Sequence, residues 1–243
     1  MSIRSLRAAV SFLTVLPVAN ADGSPGERLG RAYFPAIGAV VGFAAWLVFA
    51  LMSALTSPLL GAACAVGALC LLTGAIHLDG LADTADGMFN RGDLARRLEV
   101  MRDPRLGSYG VTAIAVALIV SVAAITSMST ARALAALVIG DALSRLATLY
   151  VISFVPYVRA SGLGVAVWDA RHRVTDLVIG SGVAAIVCLL DWRRALVAVV
   201  VVALITVVLA AMARRRLGGA TGDICGAAAE LSQLGVLIVF AAR

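Results

Sequence analysis

Residues 77–110, HLDGLADTADGMFNRGDLARRLEVMRDPRLGSYG, set six acidic residues and five arginines between long apolar runs. Three of them, Asp79, Asp83 and Asp86, fall within eight positions at the foot of a hydrophobic segment. If the helix of that segment continues through Asp86, a turn of about 100° per residue brings the three carboxylates within about 60° of one another, and His77 points the opposite way. Carboxylates on one stripe repel unless a divalent cation sits among them. Hard oxygen ligands of this sort suit magnesium, which commonly takes one or two carboxylates and keeps positions for water and substrate phosphate. The plainer alternative is a solvated turn, because Gly80 and Gly87 weaken a helix. A metal site at the membrane surface better explains ionisable groups where they are costly without a partner.

Downstream, Arg96, Arg97, Arg102 and Arg105 surround Asp103. The planar fork of arginine suits bidentate phosphate contacts, and Gly107 and Gly110 let the backbone turn close to a ligand. An ordinary positive loop with salt bridges is the alternative. Asp83-x-x-Asp86-Gly87-x-x-Asn90-Arg91 resembles the first half of the CDP-alcohol phosphotransferase signature, in which aspartates bind metal beside a pyrophosphate bond. The second half of that signature does not follow, so the match speaks to chemistry rather than ancestry. A second acidic cluster lies in GGATGDICGAAAELSQ, where Asp223 and Glu230 are seven apart and share a helix face. Glu230 would lie about two turns deep, so contact with a ligand, a metal or an arginine is expected. Asp141 and Arg145, one turn apart, read as an internal ion pair that locks packing. His172 reads as a surface residue.

The elements that must hold these residues are membrane spans. Of 243 residues, 61% are hydrophobic and 14% charged, with a mean hydropathy of +0.99; soluble domains are typically about a quarter charged. Apolar segments near 34–56, 59–76, 111–128, 133–155, 175–190, 195–213 and 222–242 predict an all-α polytopic integral membrane protein. About seven transmembrane helices are expected, with six to eight compatible, because the segments near 111 and 175 are short against the roughly 20 residues a span needs. The whole chain, 1–243, reads as one helical domain with its catalytic acidic segment at 77–110. The first residues imitate a secretory signal ending in Ala-Asn-Ala, but a retained short amphipathic or re-entrant helix fits better with so many later spans. Gly38 and Gly42, four apart, read as close intramolecular packing, with a homo-oligomer left open. Four cysteines without metal-ligand spacing predict neither disulfide nor zinc.

All 20 basic residues are arginine, and net charge is +6. With the N-terminus inside and the spans alternating, fifteen arginines fall inside and four outside, with Arg145 within the membrane. The aspartate segment is then cytoplasmic. The surplus charge suits the lipid bilayer with its anionic headgroups, not nucleic acid.

Taken together, FLTVLPV at 12–18, Arg31-Ala-Tyr-Phe-Pro-Ala-Ile-Gly38, HLDGLADTADGMF, MRDPRLGSYG and ATGDICGAAAELSQ resemble the cobalamin 5′-phosphate synthase (adenosylcobinamide-GDP ribazoletransferase) family over most of the chain. Asn90 and Arg91 depart from a glycine-rich step expected there. The resemblance implies Mg2+, an inner-membrane location, and adenosylcobinamide-GDP and α-ribazole or its 5′-phosphate as substrates. The ribazole hydroxyl would attack the phosphorus bonded to cobinamide, and GMP would leave. Asp79, Asp83 and Asp86 would hold the metal. Asp103 or Glu230 would be the base, and Arg91, Arg102, Arg105 and Asp223 would bind substrate. Two other classes remain: a different magnesium-dependent phosphotransferase of CDP-alcohol type, and a transporter using Asp141, Arg145 and Glu230 as a path. No repeated half supports the transporter, and a non-catalytic scaffold would need no aspartate triad.

Overall fold

A computed structural model describes residues 2–18, 29–159, 167–168 and 171–242. Its helices are α1 (Ile3–Leu13), α2 (Phe34–Leu55), α3 (Pro58–Thr73), α4 (Ile76–Phe89), α5 (Leu94–Val100), α6 (Ser108–Thr126), α7 (Thr130–Phe154), α8 (Arg173–Cys188), α9 (Trp192–Leu217) and α10 (Gly222–Ala241). Short 3-10 turns occupy Arg31–Tyr33 and Leu189–Asp191. Among the described residues there is no sheet, only one isolated parallel bridge between Tyr157 and Ala220. Each apolar segment read from the sequence coincides with a helix to within a few residues.

Five helical segments are long and apolar enough to cross a membrane, or six if α3 and α4 form one bent span. One of the five, Arg173–Leu217, joins α8 and α9 through the turn at Leu189–Asp191. A straight helix of its 45 residues would hold its ends on the order of 65 Å apart. Instead both ends meet Phe154: the Arg173 guanidinium lies 5.2 Å from its ring centroid, and Arg214 donates to its carbonyl. The segment is a hairpin whose two legs return to the same end of the bundle.

α7 is the central helix, buried almost all round. α2 approaches it closely at Gly38 and Gly42, where a Cβ would run into the carbonyls of Asp141 and Leu137. The small-residue spacing therefore serves packing within the chain. α1 is amphipathic, with Arg4 and Arg7 exposed, Ala9 and Leu13 buried, and Phe12 stacked on Phe34 at 5.9 Å. The Ala-Asn-Ala at 19–21 lies outside the described residues.

The expectation that one helix runs on through Asp86 is corrected here. α3 ends at Gly74 (φ 62°), Ala75 follows with φ 55°, and α4 leaves at 88° to α3. Two successive left-handed residues cannot continue a right-handed helix. The three aspartates still share α4, so their common stripe survives the break. α4 then crosses α10 at a pair of glycines: a Cβ on Gly80 would come within 2.9 Å of the Gly226 Cα. Its C-terminal carbonyls are met by cations, since Arg97 and Arg216 both donate to Met88 O, at 3.0 and 2.6 Å.

Candidate active site

The stripe on α4 divides by environment. Asp79 is exposed, Asp83 half-buried and Asp86 buried. Asp86 Oδ2 accepts the Gly107 N–H at 2.7 Å and Oδ1 accepts the Gly110 N–H at 2.9 Å. These are amides at the N-terminus of α6, where the helix dipole also favours a carboxylate. A Cβ on either glycine would collide with that carboxylate. Gly107 and Gly110 thus close on Asp86 and leave its oxygens engaged.

Asp83 instead lies within electrostatic reach of Asp79, Asp86, Asp223 of α10 and the guanidinium of Arg159. Arg159 Nη2 pairs with Asp223 Oδ2 at 2.6 Å and also donates to Met101 O at 3.3 Å. The Thr221 hydroxyl donates to the same Asp223 oxygen at 3.1 Å. Arg159 is brought there by backbone pairing: Ala220 N–H donates to Pro156 O at 2.8 Å, and Val158 N–H to Ala220 O at 3.1 Å. Its Nε is buried without a hydrogen-bond partner. In the sequence Arg159 is a lone arginine after a span, and only the general excess of inside arginines points to it.

Among the described residues no group of three or more His, Cys, Asp or Glu side chains stands close enough to enclose a metal ion. Asp83 and Asp223 lie within electrostatic reach of the Arg159 guanidinium and of Asp79, so three carboxylates share one cation, a negative set of hard oxygens. Such a set suits a cation completed by substrate phosphate better than a closed protein cage. Beside Asp79 and Asp223 opens a cleft of about 190 Å³, walled by α1, α4, α7 and α10.

Neither expected base lines that cleft. Asp103 sits on the loop before α6, where the side-chain and backbone N–H groups of Arg105 hold its carboxyl down to about 2. A carboxyl so stabilised as the anion is a weak proton acceptor at neutral pH. Arg102, Asp103 and Arg105 line a separate open hollow of about 720 Å³ outside α5, and Arg91 is exposed on the loop between α4 and α5. Glu230 lines a buried chamber of about 30 Å³ with His77, Asp141, Arg145 and Gln233. There Arg145 pairs with Asp141 at 2.8 Å and the Gln233 amide donates to the other Asp141 oxygen at 3.0 Å. The chamber has room for one water molecule. Asp141 and Arg145 thus form the internal pair expected of them, and His172 is exposed. His77 lies between the two cavities, lining this chamber and also the cleft beside Asp79.

A family model described as cobalamin-5-phosphate synthase matches residues 5–241. The adenosylcobinamide-GDP ribazoletransferase of Stutzerimonas stutzeri (strain A1501) is 39% identical over 237 residues, covering 96% of both chains. The protein of the same description from Bradyrhizobium diazoefficiens is 34% identical over 244 residues, 99% of this chain and 94% of the relative. That from Ectopseudomonas mendocina (strain ymp) is 38% identical over 239 residues, 97% of each. No solved structure matches the chain.

Proposed function

The chain belongs to the cobalamin-5-phosphate synthase family, and from that membership we propose how its site carries out the transfer. The activity is that of an adenosylcobinamide-GDP ribazoletransferase, a transferase of cobalamin biosynthesis. A transporter and a CDP-alcohol-type phosphotransferase are not favoured. The ribazole hydroxyl forms a new O–P bond to the phosphorus carried by cobinamide. The anhydride bond breaks, GMP leaves with the bridging oxygen, and the hydroxyl proton passes to a carboxylate.

The reading rests on one juxtaposition: Asp83 on α4 lies within electrostatic reach of Asp79, Asp223 and Arg159, and Asp79 and Asp223 line a cleft beside it. Asp79 and Asp83 would hold Mg2+, with Asp86 bracing them through the N-terminus of α6. When bound, the cation supplies neutralisation of the diphosphate charge. Arg159, with an unpartnered Nε, meets a phosphate oxygen. Asp223, oriented by Arg159 and Thr221, accepts the proton of the attacking hydroxyl. Arg91, Arg102 and Arg105 line the approach of the polyanionic donor. The site faces the cytoplasm of a protein that crosses the inner membrane seven times, both legs of the α8–α9 hairpin included. The test is GMP release from purified membranes given both substrates. Release should stop with a chelator and return with added magnesium; chelator-insensitive release would remove the metal from the reading.

A further inference from the structure

We infer that the cleft beside Asp79 and Asp223 seats the aromatic base of the ribazole acceptor, stacked on Trp168. This rests on the transfer reading above and adds the place and recognition chemistry of one substrate. The cleft, about 190 Å³, is sized for one fused-ring base; a corrinoid is many times larger. Trp168 is set in place on two sides. Its Nε1–H donates to Val155 O at 2.8 Å, and its ring lies 4.6 Å from that of Tyr157. Phe12, fixed by its stack on Phe34, supplies a second aromatic edge. Rings immobilised before binding lose little freedom when a base stacks on them.

The polar groups lie where a nucleoside would need them. Asp79 and Asp223 line the same cleft, so a base on Trp168 directs its attached ribose hydroxyls toward carboxylates that accept hydrogen bonds. Guanine, the other aromatic base in the reaction, needs partners for an exocyclic amine and a carbonyl. Beside Trp168 the cleft sets Ile76, Ile152 and Val167 against Thr148, His77 and the two carboxylates. The apolar side suits a benzimidazole-type ring, and guanine in its place would show as a rise in the donor KM. Gly222 leaves the cleft open, since a Cβ there would meet nothing within 4 Å.

The test uses the detergent-solubilised full chain. Trp168→Leu and Gly222→Leu should each raise the KM for α-ribazole by about tenfold or more, the scale of one lost base–aromatic stack. The KM for adenosylcobinamide-GDP should move by less than about threefold. Independently of turnover, α-ribazole should quench tryptophan fluorescence in the wild type. It should fail to do so in Trp168→Phe, although Trp46 and Trp192 remain. If Trp168→Leu does not accumulate, Gly222→Leu carries the kinetic arm, because its side chain enters open space. An unchanged acceptor KM, a rise in the donor KM instead, or quenching retained in Trp168→Phe would each overturn the assignment while leaving the reaction standing. No wild-type turnover of these substrates would overturn both.

Discussion

Asp83 and Asp86 are three residues apart on one helix, yet their surroundings give them different work. The oxygens of Asp86 are taken by two backbone amides, whereas Asp83 faces other carboxylates and one guanidinium. Asp79→Ala and Asp83→Ala should therefore each cut GMP release by about a hundredfold or more, with membrane insertion intact. Asp86→Asn should act first on stability, because its amide group must point N–H at N–H on one side. Losing a charge-assisted bond of this kind costs about 1.5–3 kcal/mol, readable as a lowered Tm in detergent. Residue types and spacing made the stripe legible. They could not show its division, because the amides that claim Asp86 come from positions 107 and 110. Arg159 was less legible still, a single arginine with no motif around it. Glu230 was legible as needing a partner, and it shares its chamber with Arg145 rather than lining the cleft. Glu230→Gln should accordingly keep kcat within about tenfold and mainly lower folded yield; a larger loss of turnover at normal yield would return it to the chemistry.

At the scale of elements, the site depends on how closely α4 meets α10. Asp79 and Asp83 come from one helix and Asp223 from the other, and the Gly80–Gly226 contact sets their separation. Gly226→Val would wedge the helices apart and should abolish turnover, even where the spans insert normally. Gly182→Val on α8, where a Cβ meets nothing within 4 Å, should be nearly silent and serves as the control. Apolar length and hydropathy made the seven helices readable with small errors at their ends. The break between α3 and α4 was not readable. It depends on Ala75 adopting φ 55°, a conformation its residue type disfavours, so only tertiary packing can impose it. The seven-residue α5 was equally hidden, being too short and too charged to stand out from its loop.

For the whole molecule, the arginine asymmetry read from sequence has a physical counterpart in one interlocked end of the bundle. Arg31 holds Asp176 and Val167 O there, Arg173 and Arg214 meet at Phe154, Arg97 and Arg216 meet at Met88, and Arg159 joins Met101 to Asp223. On the positive-inside rule, the proposed orientation puts this end, with the aspartates, on the cytoplasmic side. The α8–α9 hairpin then constrains the count. Because both its ends lie at that face, it adds either two crossings or none, and losing only the short leg is ruled out. On the proposed orientation the C-terminus is outside in both cases. Alkaline phosphatase fused after Arg216 should stay inactive, and a fusion after Ala242 should be active. A fusion in the turn at Leu189–Asp191 decides the remaining question. α8 has 16 residues, about 24 Å of helix against a hydrocarbon core of about 30 Å, so its leg crosses only with local thinning or help from the turn. Trp192, exposed and carrying Arg193 5.5 Å from its ring, is the kind of residue that anchors such a turn at a headgroup surface. Activity at the turn is therefore expected, giving seven crossings; inactivity there with an active C-terminal fusion would make the hairpin re-entrant and leave five. An active fusion after Arg216 would invert the molecule and move the aspartates away from the cytoplasm.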